Sequence, residues 1–270
     1  MGGRGPVELQ VQLCLYGPEG MKRLLAAEHP EVSGVSWLVS WQLPEGPLPV
    51  PEQIRARDDF EVIISHDRGL SRNRNHALDY PGDAPLILIG DDDVSYSAEA
   101  LRELIATFRR HPREDVVCCR YTCFGEYTKP YGHGEISLAR PPFGWYLTSF
   151  ELAMRRSCLN GLRFNENLGL GSPRLVAGEE TVFLHDLLHR GARGIMAPID
   201  IGSHDHATTG ERLCTDPSFL FTHGAVLTHI HPCTWPLRLL LHAWRTQMPF
   251  LACLRHTLSG AFYAFRAGIF

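Results

Sequence analysis

The stretch Leu86-Ile87-Leu88-Ile89-Gly90-Asp91-Asp92-Asp93 organises the rest of the chain around it. Four consecutive large aliphatic residues suit a strand buried on both faces. That strand would carry three carboxylates to its end, and in open α/β sheets ligands bind outside the carboxyl ends of the strands. Adjacent carboxylates repel one another, and a bound cation relieves the repulsion. Hard oxygen donors select magnesium or manganese. The competing interpretation is a solvated acidic turn that caps the following helix, so the surrounding sequence has to decide.

Short apolar, β-branched runs alternate with segments of helical period on both sides of this turn. Residues 11–15, 35–41, 60–65 and 86–89 are expected strands, and 21–28 and 70–78 are expected helices between them. A helix over 98–110 with Ser97 as its N-cap follows, then strands at 116–122 and around 194–197, with a helix over 179–189 that stops at Gly191. This alternation predicts an α/β fold with a mostly parallel central sheet flanked by helices. The prolines and glycines of 128–144 predict a long irregular loop. From His223 the chain becomes apolar and helical, so residues 1–222 are expected to form the main domain and 223–270 a C-terminal helical extension. On that extension Leu237, Leu240, Leu241, Trp244 and Met248 fall on one helical face, with Arg238, His242 and Arg245 on another. Such a pattern fits either a hairpin packed on the domain or an amphipathic helix that docks peripherally on a membrane.

Composition narrows the function. The chain has 270 residues, 44% hydrophobic and 21% charged, which suits a folded domain with its own core. A net charge of -4 excludes a general nucleic-acid binder, because phosphate backbones need a basic face. The N-terminal residues lack a secretory pattern and no apolar run is of bilayer length, so the expected location is the cytoplasm, with peripheral contact at the inner face of the membrane as the variant. The eight cysteines are scattered and match no common zinc spacing, which predicts plain reduced thiols.

Two further segments bear on the acidic turn. Upstream, Asp67-Arg68-Gly69-Leu70-Ser71-Arg72-Asn73-Arg74-Asn75 opens a helix with three arginines and two asparagines. These charge-assisted donors beside a helix N-terminus suit a nucleotide and its phosphates, or else a solvated basic helix start. Downstream, Gly178-Glu179-Glu180-Thr181 places two carboxylates in the first turn of a helix, where the macrodipole favours their ionised form. An ionised carboxylate at a cleft is what a general base requires, and one of the pair can serve simply to satisfy the helix terminus.

The order Gly69-Leu70-Ser71 with Arg74-Asn75, then Asp91-Asp92-Asp93 after an apolar strand, then Gly178-Glu179-Glu180, resembles glycosyltransferase family 2, with the GT-A fold. The resemblance covers about 11–206 and leaves out the C-terminal helices. It implies that Arg74 and Asn75, with Ser71 in the same motif, recognise the nucleotide. It also implies that Asp91 to Asp93 form the aspartate-rich metal motif, Asp93 touching the metal and Asp91 or Asp92 the ribose. Glu180 then matches the catalytic base and Glu179 its neighbour, with Glu replacing the more usual Asp. His204 resembles the histidine that completes the metal site, with Asp91 as a further ligand and His206 as the alternative histidine. Gln42, after the second strand, is a further candidate for contact with the nucleotide. The turn Leu15-Tyr16-Gly17-Pro18 departs from the family by lacking its nucleotide-binding carboxylate.

The implied activity is a metal-dependent, inverting transfer of a sugar from a nucleoside-diphosphate sugar, UDP-linked by family analogy, to a glycan or lipid-linked acceptor hydroxyl, with manganese or magnesium as cofactor. The alternatives are a nucleotidyltransferase or metal-dependent phosphohydrolase acting on a sugar nucleotide, and a non-catalytic sugar-nucleotide-binding protein. A P-loop and a Rossmann fingerprint are both absent from the sequence.

Overall fold

A computed structural model describes residues 6–204, 216–245 and 248–270. His206 lies outside the described residues. The chain divides into two compact units: the first comprises residues up to 68, 72–163 and 186–205, the second 69–71, 164–185 and 206–270.

The first unit is built on a nine-stranded sheet. Its elements are β1 (Leu9–Tyr16), α1 (Gly17–Ala26), β2 (Val35–Gln42), the short α2 (Glu52–Arg55), β3 (Phe60–Ser65), α3 (Leu70–Leu78) and β4 (Leu86–Asp91). Then come β5 (Ser95–Tyr96), α4 (Ala98–Arg110), β6 (Val116–Thr122), β7 (Ile136–Ser137), β8 (Leu152–Arg155), α5 (Glu179–His189) and β9 (Gly194–Ser203). The helices α3 and α5 each cross between the two units. Spatial order is β3-β2-β1-β4-β8-β6-β9-β5, with β7 paired to β9. The first four strands run parallel. The short β8 is antiparallel to both β4 and β6, and β9 is parallel to β6. Two reversals restore direction, so β9 runs the same way as β4 and both end at one edge of the sheet.

The aliphatic strand β4 is buried as expected: Leu86 to Ile89 are all at most 4% exposed. Leu86 and Leu88 join a core with Met21 and Leu24 of α1 and Leu101, Leu104, Ile105 and Phe108 of α4. Ser97 caps α4 through its hydroxyl, which accepts from Ala100 N at 3.4 Å. Among the described residues no cysteine is joined in a disulfide. β9 is longer than the 194–197 expected, since pairing with β6 resumes beyond the break at Pro198 and continues to Ser203.

The second unit holds α6 (Pro217–Ile230), α7 (Trp235–Arg245) and α8 (Phe250–Ala267). Its core joins Leu168, Leu175 and Val182 to Ala225, Val226 and Ala264. That shared core explains why 164–185 groups with the terminal helices. α6 and α8 cross at two glycines. A Cβ on Gly224 would lie 1.8 Å from Thr257 O, and one on Gly260 1.7 Å from Phe221 O. Only glycine permits the backbones to approach that closely.

Candidate nucleotide-sugar and metal site

Chain order in the sheet identifies its edge site. The chain moves outward from β1 to β2 and β3, then returns to the other side of β1 to form β4. The carboxyl ends of β1 and β4 therefore flank a topological switch point, where open α/β sheets bind ligands. Asp91 closes β4 there, paired with Cys14 of β1.

The three aspartates have different surroundings. Asp91 Oδ1 lies 3.4 Å from Arg74 Nη2, and Asp91 Oδ2 accepts from Ser149 Oγ at 2.9 Å. Asp92 turns to α1, where Arg23 grips it with Nε to Oδ1 at 2.9 Å and Nη2 to Oδ2 at 2.8 Å. This fork geometry is the strong form of an arginine–carboxylate pair. Burial pushes the Asp92 carboxyl up to about 6, against the opposing pull of Arg23 and with Asp93 and Asp91 adding to the rise. Gly20 makes room for it, because a Cβ there would lie 2.8 Å from Asp92 Oδ2.

Asp93 meets the end of β9. His204 Nε2 lies 3.3 Å from Asp93 Oδ2. Burial raises the Asp93 carboxyl, but the bond and charge of His204, helped by Arg23, outweigh it and hold the group below its ordinary value. The His204 ring stacks on Phe150 at 5.5 Å, and its backbone N–H donates to Thr122 O at 3.0 Å. One carboxylate oxygen and one imidazole nitrogen form a donor pair suited to manganese. Two ligands at about 2.1 Å on adjacent octahedral vertices lie about 3 Å apart, close to the separation here. Among the described residues, Asp91 is not gathered with Asp93 and His204 into a set of three whose ligand atoms lie within 4.8 Å of one another.

The other expected residues are placed as follows. Arg74 and Gln42 are each 2% exposed, and Asn75 is also buried. Gln42 ends β2 at the same edge of the sheet. Asn73 gives its amide hydrogens to Leu15 O and Ser40 O, tying α3 to β1 and β2. Ser71 belongs to the second unit, where its hydroxyl donates to Leu168 O at 2.6 Å. Glu179 and Glu180 also belong to that unit. Glu179 is buried and Glu180 half-buried, both in the first turn of α5.

Arg23, Ser149 and Phe150 were not singled out in the sequence. Behind Ser149 and Phe150 lies a buried ion pair, Lys129 with Glu151, both fully inaccessible. Lys129 also donates to Tyr146 O at 2.8 Å and Thr148 Oγ1 at 2.7 Å, and faces the rings of Tyr121, Tyr131 and Tyr146. Glu151 accepts from Thr148 N and from the Tyr131 hydroxyl. Its carboxyl is raised by burial, against the pull of Lys129. The turn Ser149–Glu151 is thereby pinned from below. Thr148-Ser149-Phe150-Glu151 carries the reach-back half of a capping box, and this spacing is the signal by which the sequence could have flagged it.

The profile described as Glycosyl transferase family 2 matches residues 50–167, a stretch that includes Arg74, Asn75 and Asp91 to Asp93. No curated protein matches the chain. Among solved structures, S. aureus TarS is similar with a TM-score of 0.61 at 15% identity, over 97% of this chain and 73% of that one. The complex of S. aureus TarS with UDP-GlcNAc gives 0.60 at 13% identity, over 96% and 73%. The mannosyltransferase PcManGT from Pyrobaculum calidifontis, in complex with GDP-Man and Mn2+, gives 0.53 at 13% identity, over 98% and 76%. Likeness at these identities is one of fold, a GT-A-type sheet flanked by helices. The family profile lies across the acidic strand end of that fold, so residues 50–167 are similar to glycosyl transferase family 2.

Proposed function

We propose that the protein transfers a sugar from a nucleoside-diphosphate sugar, with uridine diphosphate as the carrier, to a hydroxyl of a glycan or lipid-linked acceptor, with inversion at the anomeric carbon and a divalent cation as cofactor. The observation that carries the metal dependence is the Asp93–His204 pair at the common edge of β4 and β9. The structures of TarS with UDP-GlcNAc and of PcManGT with GDP-Man and Mn2+ support a nucleotide-sugar donor. Peripheral contact of the C-terminal helices with the inner face of a membrane fits a lipid-linked acceptor.

In this reading Asp93 and His204 would hold manganese or magnesium. The cation would supply Lewis-acid charge to the departing diphosphate. Arg74, Asn75 and Gln42 bind the nucleotide, and Asp91 accepts from the ribose or approaches the cation. Asp92 acts through Arg23 and keeps the acidic turn in place. Glu180, ionised at the helix N-terminus, takes the proton of the acceptor hydroxyl. The acceptor oxygen attacks the anomeric carbon from the face opposite the diphosphate, the carbon–oxygen bond to the diphosphate breaks, and its electron pair leaves with the nucleoside diphosphate. Glu179, more deeply buried, orients its neighbour.

The test is Glu180→Gln. Turnover, followed as release of nucleoside diphosphate, should fall by about 100-fold or more, while the affinity for the sugar nucleotide stays unchanged. Turnover near the wild-type level would assign the base elsewhere.

A further inference from the structure

We infer that α7 and α8 form a docking surface for an anionic lipid bilayer. The segment 217–270 contains no aspartate or glutamate and four arginines, Arg238, Arg245, Arg255 and Arg266, in a chain whose net charge is -4. Basic charge is thus concentrated on one segment of an acidic protein, as an anionic lipid surface requires.

The apolar side chains of these helices point the wrong way for a packed hairpin. On α7, Leu237 and Trp244 are 60% and 76% exposed, with Leu240 and Leu241 exposed on the same face. Leu239 and Ala243, on the opposite face, are the buried residues. At about 100° per residue, Arg238 and Arg245 lie beside the exposed leucine face. α8 repeats the arrangement. Its buried side, Cys253, Thr257, Gly260, Ala261 and Ala264, is made of small residues, while Leu251, Phe262 and Phe265 are 77%, 58% and 59% exposed. Arg255 and Arg266 flank that face.

Large apolar and aromatic side chains pointing outward, bordered by arginine, are the pattern of a helix lying in a bilayer interface. Arg255 and Arg266 interrupt α8, and no helix among the described residues is long and apolar enough to cross a membrane. A second copy of the chain is a poorer occupant. A two-fold contact through these faces would set arginine against arginine, with no carboxylate in the segment to compensate. The docking surface gives a purpose to the lipid-linked acceptor proposed above and rests on that reading for its biological role.

The experiment uses the whole chain with phosphatidylcholine vesicles, with and without phosphatidylglycerol, in a co-sedimentation assay. Binding should be at least about tenfold stronger to the anionic vesicles and weaken with salt. The double variant Trp244→Ser/Leu251→Ser should lose about tenfold or more of it, and Arg245→Gln/Arg255→Gln should lower the preference for phosphatidylglycerol. Thermal midpoint and UDP-sugar binding should not change in either variant. The docking proposal fails if the wild type ignores both vesicles, binds them equally, or forms a dimer that the same substitutions dissociate. Sugar-nucleotide binding is measured on the same preparations: intact binding with no vesicle uptake overturns docking alone, and vesicle uptake without nucleotide binding overturns the donor assignment alone.

Discussion

Ser149 Oγ donates a 2.9 Å hydrogen bond to Asp91 Oδ2, so a turn 58 residues away in sequence fixes the first carboxylate of the acidic strand end. Its neighbour Phe150 lies against His204, the partner of Asp93. One short turn therefore supports two of the residues proposed to act on the donor. A hydrogen bond to a charged group contributes about 1.5–3 kcal/mol, less where solvent reaches it. Ser149→Ala should lower kcat/KM by about 5- to 30-fold, equivalent to about 1–2 kcal/mol, with little change in thermal midpoint. Steady-state kinetics beside a melting curve checks this, and a large fall in midpoint would make Ser149 a structural residue only.

The Lys129–Glu151 pair beneath that turn should dominate its stability. Removing one partner leaves a buried charge uncompensated, a loss of about 3–5 kcal/mol. Lys129→Met should show this loss in chemical denaturation. Glu151→Gln should cost less, because Lys129 keeps Tyr146 O, Thr148 Oγ1 and three ring faces. The reverse order would mean that the carboxylate, not the ammonium, is the better compensated partner.

Acid should destabilise the first unit through His29. Burial against Trp37, Phe60 and Tyr96 pushes its imidazole from 6.5 down to about 4, with Arg57 adding to the fall and the bond to Ala27 O opposing it. Nδ1 lies 3.1 Å from Ala27 O, while Nε2 is buried with no hydrogen-bond partner. Because the folded value lies below the unfolded one, the unfolded chain takes up the proton first. The stabilisation is present above about pH 6.5 and is lost progressively down to about pH 4, by about 3 kcal/mol in total. Denaturation midpoints at pH 7 and pH 4.5 should therefore converge in His29→Phe relative to wild type. An unchanged gap would place the acid sensitivity at other groups.

Much of the fold was legible because its strands are continuous aliphatic runs. β3, β6, α3, α4 and α5 begin and end where periodicity and caps place them. β8 was not legible, being four residues long and following an aromatic, proline-rich loop, and its antiparallel pairing is decided by neighbours distant in sequence. The acidic turn was conspicuous, yet the partners that give each aspartate a different character were hidden: Arg23 is 69 residues from Asp92. Sequence showed an apolar face on α7 but not which side would be packed. The close crossing at Gly224 and Gly260 belongs to α6 and α8, and α7 is left with Leu237, Leu240 and Leu241 outward.

The measurement that reaches the centre of this account is calorimetric titration of UDP-sugar into wild type and Asp93→Asn, with and without manganese. Wild type should bind only weakly without manganese and at least about tenfold more tightly with it, a difference that Asp93→Asn should largely abolish. Binding of equal strength in all four conditions would contradict the assignment of Asp93 and His204 as the metal-holding pair.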